Sequence, residues 1–241
     1  MGTDCKSALS LRLHIRESGI FREPEQLPLP TIKRDKDGNV LITTETTVNQ
    51  IRYTIDGTEP TAQSPIYAGT FAFLTSGDIK AKCFGTDMKA GETAIQSFNI
   101  YKKDWKIVTA SFEQEEKEKA LNAIDDTAET FWSTAENTSL TPLPQFIVID
   151  MGLEMEIKSL SYLPRQNGTG GIVKNYQWEV SSDNMVWKTV AEGEFANIES
   201  NPVEQNIALK VSAKARYIKF VGKTSVDGKY ITVAEIGVKT K

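Results

Sequence analysis

From about residue 30 onward, helical periodicity is almost absent, and short runs of β-branched and aromatic residues alternate with polar ones. NVLITTET, QIRYTID, DIKAKCF, PQFIVIDMG, YQWEVSSD, ARYIKFVG and ITVAEIGV are examples, punctuated by Gly, Asn, Asp, Ser or Pro. A period of two sends alternate side chains to opposite faces of an extended backbone, so such a run buries its apolar side only as a strand in a sheet. Many short strands with turn residues between them predict an all-β chain built of β-sandwiches. With 241 residues there is length for two sandwiches, each with its own core.

Punctuation divides the chain into three. Residues 1–28 are mixed: LSLRLHI alternates at period two but also suits a helix, and EPEQLPLP reads as an extended connector. This segment is expected to be an N-terminal tail, or the remnant of a preceding catalytic domain with its linker. Residues 29–102 form a first strand-rich unit. Residues 103–241 form a second, after a polar joint at YKKDW. EQEEKEKALNAID carries the clearest helical hint; its charge run reads most simply as a solvated segment. The two units do not resemble each other, and no internal repeat is visible.

Several function classes drop out early. A net charge of -4 argues against nucleic acid as a partner. No apolar run is long enough to span a membrane, and no signal peptide is visible at MGTDCKSALS. Cys5 and Cys83 are too far apart in sequence to suggest a disulfide framework or a zinc pattern; Cys83, in the strand-like IKAKCFG, is expected to be a buried thiol. The single histidine, His14, and the lack of any nucleophile–base motif or phosphate loop leave little for catalysis, so the chain is expected not to be an enzyme by itself.

In the first unit, QIRYTIDGTEPTAQSPIYAG sets an alternating strand against a turn signal at Asp56-Gly57 and a stop at Pro60. Its YTIDGTEPT and SPIY motifs resemble the small immunoglobulin-like domain on the C-terminal side of chitobiases, hexosaminidases and some fucosidases, over about seventy residues. The resemblance implies a spacer without chemistry of its own, in which Asp56 and Glu59 are turn and loop residues rather than an acid pair.

The second unit runs in order through NAIDDTAETFW, LPQFIVIDMG, SLSYLPRQNGTGGIVKNYQWEVSSDNMVW, ARYIKFVG and YITVAEIGV. That order resembles the discoidin domain, also called the coagulation factor 5/8 type C domain, which serves in carbohydrate-active enzymes as a galactose-binding-like carbohydrate-binding module. The implied fold is a jelly-roll β-sandwich following the immunoglobulin-like one. NAIDDTAETFW has the oxygen-rich composition that calcium requires, since this hard cation takes six to eight oxygen ligands. The resembling modules hold a structural calcium here. Carried over by position, the resemblance implies as its ligands the Asn122 carbonyl, the Asp125 carboxylate, the Thr127 carbonyl and Thr130 in the loop, with Ala234 and Glu235 from the last strand. Asp126 stands where the family usually has Gly, which predicts a positive φ at this position, and Thr127 stands where it has Asp or Asn. The alternative is a metal-free loop in which Asp125 caps a turn. Asp125 and Glu235 as a catalytic pair is the least favoured reading.

A sugar site needs a flat aromatic for the apolar face of a pyranose and fixed polar groups for its hydroxyls. The resemblance places Arg165 and Asn167 in the loop after SYLPRQ and Tyr230 just before the final strand. Arg165 is alternatively a surface ion-pair residue, and Tyr230 a packing residue. Ser133 and Thr134 stand where the family often has His, which puts galactose specificity in question. Trp132, Trp178 and Trp187 follow core patterns, and Trp105 begins the module.

The expected function is therefore non-catalytic carbohydrate binding that targets an attached glycoside hydrolase, an α-L-fucosidase or a β-N-acetylhexosaminidase, to glycan. The expected partners are a galactose-type or related sugar and a covalently linked catalytic domain. In the full-length protein the location is expected to be secreted, periplasmic or at the cell surface. The competing expectation is a structural appendage that orients the catalytic domain and binds no sugar.

Overall fold

The structure, a computed structural model, describes residues 27–48, 50–86, 88–112, 117–135 and 142–240. Cys5, His14, nearly all of the 1–28 segment and residues 113–116 of the EQEEKEK run lie outside the described residues. The described chain is all-β. Its strands are β1 (Thr31–Arg34), β2 (Asn39–Thr43), β3 (Gln50–Thr54), β4 (Phe71–Ala72), β5 (Gly77–Phe84), β6 (Ala90–Phe98) and β7 (Lys106–Ala110). After a single 3-10 turn, Ala120–Ile124, come β8 (Trp132–Ser133), β9 (Gln145–Leu163), β10 (Val173–Ser181), β11 (Lys188–Glu194), β12 (Gln205–Ser225), β13 (Thr232–Val233) and β14 (Glu235–Lys239). The helical hint in KALNAID thus becomes one short turn, too short to bury a helical face.

Packing groups the chain into two compact units. One comprises the described residues up to Lys33 with Leu41–Thr70 and Ile79–Gln96; the other comprises Arg34–Val40, Phe71–Asp78 and Ser97–Lys241. In the first, β3, β5 and β6 form a sheet in that order, with β3 and β5 antiparallel from Gln50↔Phe84 to Thr54↔Lys80. Alternation decides which side chains go inside: Ile79, Ala81 and Cys83 are fully buried. Burial pushes the Cys83 thiol up from its ordinary value, which keeps it a protonated packing group. Asp56 accepts hydrogen bonds from the Thr58 amide (3.0 Å) and hydroxyl (2.6 Å), closing the turn at Gly57, whose φ is +76°. Glu59 pairs with Lys82 at 2.6 Å and with Lys80 at 3.7 Å. Both carboxylates are thus engaged in turn and ion-pair contacts.

The second unit is built on a six-stranded sheet, in the order β11-β10-β12-β9-β14 with β7 also on β9, and a short antiparallel pair of β13 with β8. The inward faces of β9, β10 and β12 supply Tyr162, Trp178 and Phe220, all fully buried. Their rings meet closely: Tyr162 and Phe220 stack at 5.1 Å, Tyr162 and Phe195 at 5.3 Å, Tyr176 and Phe195 at 4.1 Å. Each such side chain contributes about 1.5–3 kcal/mol by leaving water. Tyr162 also uses its polar end: the hydroxyl donates to the Thr232 carbonyl (2.9 Å) and accepts from the Val173 amide (3.0 Å), tying β9 to β13 and β10. Trp105 and Trp132 join the same core, while Trp187 is half-buried beside Lys219. The tryptophans therefore pack, as their patterns suggest. At the β10–β11 hairpin, Asn184 takes φ +60° and Asp183 accepts the Met185 and Val186 amides at 2.8 and 2.9 Å.

Candidate functional site

Three loops at one end of the second unit bring Arg165, Phe131 and Tyr230 together. Arg165 follows β9, Phe131 precedes β8, and Tyr230 lies just before β13. The Arg165 guanidinium lies over the Phe131 ring, 4.1 Å from its centre, within the range in which a cation is attracted to a π-face. Arg165 Nη2 donates to Asn167 Oδ1 at 3.2 Å, and the Arg165 guanidinium and the Tyr230 hydroxyl both lie beside Gly170. Burial pushes that hydroxyl above its ordinary pKa, Asp227 adds to the shift, and Arg165 opposes it. It therefore stays protonated, both donor and acceptor.

The Gly-rich loop explains how Tyr230 is held. A Cβ on Gly170 would stand 2.3 Å from the Tyr230 hydroxyl, and one on Gly171 2.6 Å from the ring. Only backbone can approach the tyrosine this closely. Gly171 also sits at φ +73°; its carbonyl accepts from the Thr232 amide at 2.7 Å, and its amide donates to Asp227 Oδ2 at 3.2 Å. Tyr230 is thus a packing residue by its ring and a site residue by its hydroxyl. The guanidinium, the exposed Asn167 amide and this hydroxyl offer convergent polar groups, the kind of set that orients a polyhydroxylated ligand. Nothing in the cluster pairs a nucleophile with a base.

The expected metal ligands gather only in part. Asp125 Oδ2 accepts from the Thr130 hydroxyl (2.7 Å) and Oδ1 from the Thr127 amide (3.1 Å), so it closes a turn. The Asn122 side chain donates to the carbonyls of Lys117 (2.8 Å) and Phe131 (3.0 Å). The Ala234 amide donates to the Leu163 carbonyl at 2.9 Å. Glu235 and Asp126 meet a different cation. The Lys102 ammonium contacts Glu235 Oε1 and lies 2.9 Å from Asp126 Oδ1. The Lys102 side chain is only 3% exposed and that of Glu235 13%. Burial pushes the Glu235 carboxyl up, the Lys102 ammonium pulls it down, and Asp126 and Asp125 act in the same direction as burial. Its Oε2 is buried without a hydrogen-bond partner among the described residues. Asp126 has φ +61°, the conformation its Gly-like position implied. The two carboxylates expected as calcium ligands are thus engaged within the chain, Asp125 by the Thr127 amide and Thr130 hydroxyl and Glu235 by the Lys102 ammonium.

The F5/8 type C domain model matches residues 107–236, more than half of the chain. The chain belongs to the F5/8 type C family. A second model, the chitobiase/beta-hexosaminidase C-terminal domain, matches residues 33–95. Among solved structures, the F5/8 type C module is similar to a CBM32 module of Clostridium perfringens in complex with GalNAc-beta-1,3-galactose, at 29% identity and TM-score 0.51, covering 56% of this chain and 94% of that one. It is also similar to the C-terminal domain of a chitobiase from Bacteroides fragilis, at 30% identity and TM-score 0.53, covering 60% and 98%. Among curated proteins it matches a galactose oxidase of Gibberella zeae at 31% identity over 128 residues; that match covers 48% of this chain but only 17% of the oxidase. These neighbours make the second unit a galactose-binding-like jelly-roll sandwich.

Two residues of the second compact unit had no signal in the sequence. Phe131 stood unremarked beside Trp132, yet it is the surface on which Arg165 rests. Lys102 read as part of a polar joint, yet it is buried. The position where relatives often carry His also gains a physical account. Ser133 and Thr134 are buried, and the Thr134 hydroxyl accepts the Ile231 amide at 2.9 Å. The Ser133 hydroxyl accepts the Ala135 amide at 3.1 Å, so both hydroxyls are engaged by backbone amides.

Proposed function

We propose that this chain is a non-catalytic accessory region of a glycoside hydrolase, in which the F5/8 type C module binds glycan and the immunoglobulin-like unit is a spacer. The observation that carries the reading is the Arg165 cluster: a guanidinium over the Phe131 ring and hydrogen-bonded to Asn167, with the Tyr230 hydroxyl beside the same glycine loop. The CBM32 neighbour solved with GalNAc-beta-1,3-galactose supports a sugar of galactose or N-acetylgalactosamine type as ligand. The chitobiase/beta-hexosaminidase match favours a linked enzyme of the β-N-acetylhexosaminidase kind over an α-L-fucosidase. Glycan as substrate implies a place outside the cytoplasm for the full-length protein. A single site of this kind binds with a millimolar to micromolar Kd, about 4–8 kcal/mol, which suffices when tethering raises the local substrate concentration.

Calorimetric titration with galactose, N-acetylgalactosamine, N-acetylglucosamine and fucose tests the proposal. The expected result is saturable heat with at least one sugar, lost in Arg165→Ala while the circular dichroism spectrum is retained. Absence of heat with all four would favour the second reading, a structural appendage. That reading is supported by the burial of Ser133 and Thr134, which leaves the cluster without the imidazole that relatives often have.

A further inference from the structure

The 3-10 turn and loop before β8 must be fixed to β14 for the open end of the sandwich to close, and both bring carboxylates to the junction. Asp126 comes from the loop and Glu235 from the first position of β14. Two carboxylates near one another repel unless a cation lies between them. Here the cation belongs to the chain: the Lys102 ammonium contacts Glu235 Oε1 and stands 2.9 Å from Asp126 Oδ1, and it lies 5.7 Å from the centre of the Trp105 ring. With its side chain only 3% exposed, the Lys102 ammonium has carboxyl oxygens where water would otherwise solvate it. A divalent ion coordinated by Glu235 would face that ammonium at contact distance in a poorly solvated place, where like charges repel strongly.

We propose that Lys102 is the resident cation of this junction, taking the part that a calcium ion plays in resembling modules, so that this module closes without divalent metal. The proposal accounts for the departure at Asp126. A glycine would adopt φ +61° more readily, but only a side chain with a carboxylate supplies the second partner of the ammonium. It also accounts for Thr127, whose amide and hydroxyl serve the turn through Asp125 and Glu129 and add no charge to the junction. A single positive charge needs fewer carboxylates around it than a divalent one does.

The test uses the full chain. Its Tm is measured after chelation with EDTA and again in excess calcium chloride, and calcium is titrated into the chelated protein by calorimetry. The expected result is no calcium heat and a Tm equal within about 1 °C in the two buffers; a fall of more than about 5 °C on chelation that calcium reverses would overturn the proposal. Lys102→Met, Glu235→Gln and the double variant complete the test. Each single variant is expected to melt below the wild type in EDTA, and the double variant to lose less than the sum of the two. Additive losses, or an unchanged Tm in Lys102→Met, would also overturn it. Should a single variant fail to fold, the chelation and titration of the unaltered chain decide alone.

Discussion

The guanidinium of Arg165 rests face-on over the ring of Phe131, 4.1 Å from its centre, although the two residues lie in different loops and come from strands β8 and β9 that are not paired with each other. The contact fixes the direction of the arginine, because a flexible side chain stacked on a buried ring loses its freedom before any ligand arrives. Phe131→Leu keeps an apolar residue at the position but removes the π-face. Sugar affinity is expected to fall several-fold, corresponding to about 1 kcal/mol, with a small change in Tm. Titration with the best sugar ligand and a melting curve on the same sample check both parts.

Gly171 supports the other side of the cluster. An alanine there would bring its Cβ to 2.6 Å from the Tyr230 ring and 2.8 Å from the Thr232 methyl, at a φ of +73°. Neither contact can relax without moving Tyr230 or β13. Gly171→Ala is expected to lower stability by about 1–3 kcal/mol in chemical denaturation and to weaken sugar binding together with it.

Asp126→Gly sets two effects against each other. Removing the side chain relieves a left-handed backbone at a cost of about 1 kcal/mol in the wild type, but takes away one of the two carboxylates that face Lys102. The pairing is expected to outweigh the relief, so that Tm falls. Asp126→Asn keeps a residue tolerant of the left-handed region without the charge and is expected to fall as well. A rise in Tm for the glycine variant would show that backbone strain dominates at this loop.

Asp150 governs part of the acid response. Its carboxylate accepts two hydrogen bonds from Arg216, at 2.8 and 2.7 Å, and one from the Gly152 amide at 2.8 Å. The Arg216 hydrogen bonds hold its pKa below the ordinary 3.8, with the Gly152 amide adding to the effect and burial opposing it. A folded-state value below the unfolded one means that the contribution is complete above about pH 4 and disappears as pH falls through the folded value. Asp150→Asn is expected to melt several degrees below the wild type at pH 7, with the difference shrinking toward pH 3. Melting curves across that range check the sign.

The sequence by itself determined the fold class and the order of strands. An alternation such as Ile51-Arg52-Tyr53 or Tyr176-Gln177-Trp178 leaves an isolated strand no way to bury its apolar side, and turn residues such as Asp56-Gly57 and Asp183-Asn184 act within a few positions of themselves. The resemblance to the F5/8 type C domain implied Arg165, Asn167 and Tyr230 as site residues, and a left-handed backbone at Asp126 through the glycine the family usually has there. What only the tertiary structure decided involves partners far apart in the chain. Phe131 beneath Arg165, the glycines beneath Tyr230 and Thr134 against Ile231 are contacts between loops whose sequences carry no record of one another. The Lys102–Asp126–Glu235 junction is the clearest case. A lysine in a polar stretch looks solvated in sequence, and its burial follows only once the sandwich has placed two carboxylates, one of them 133 residues away, within reach of its ammonium.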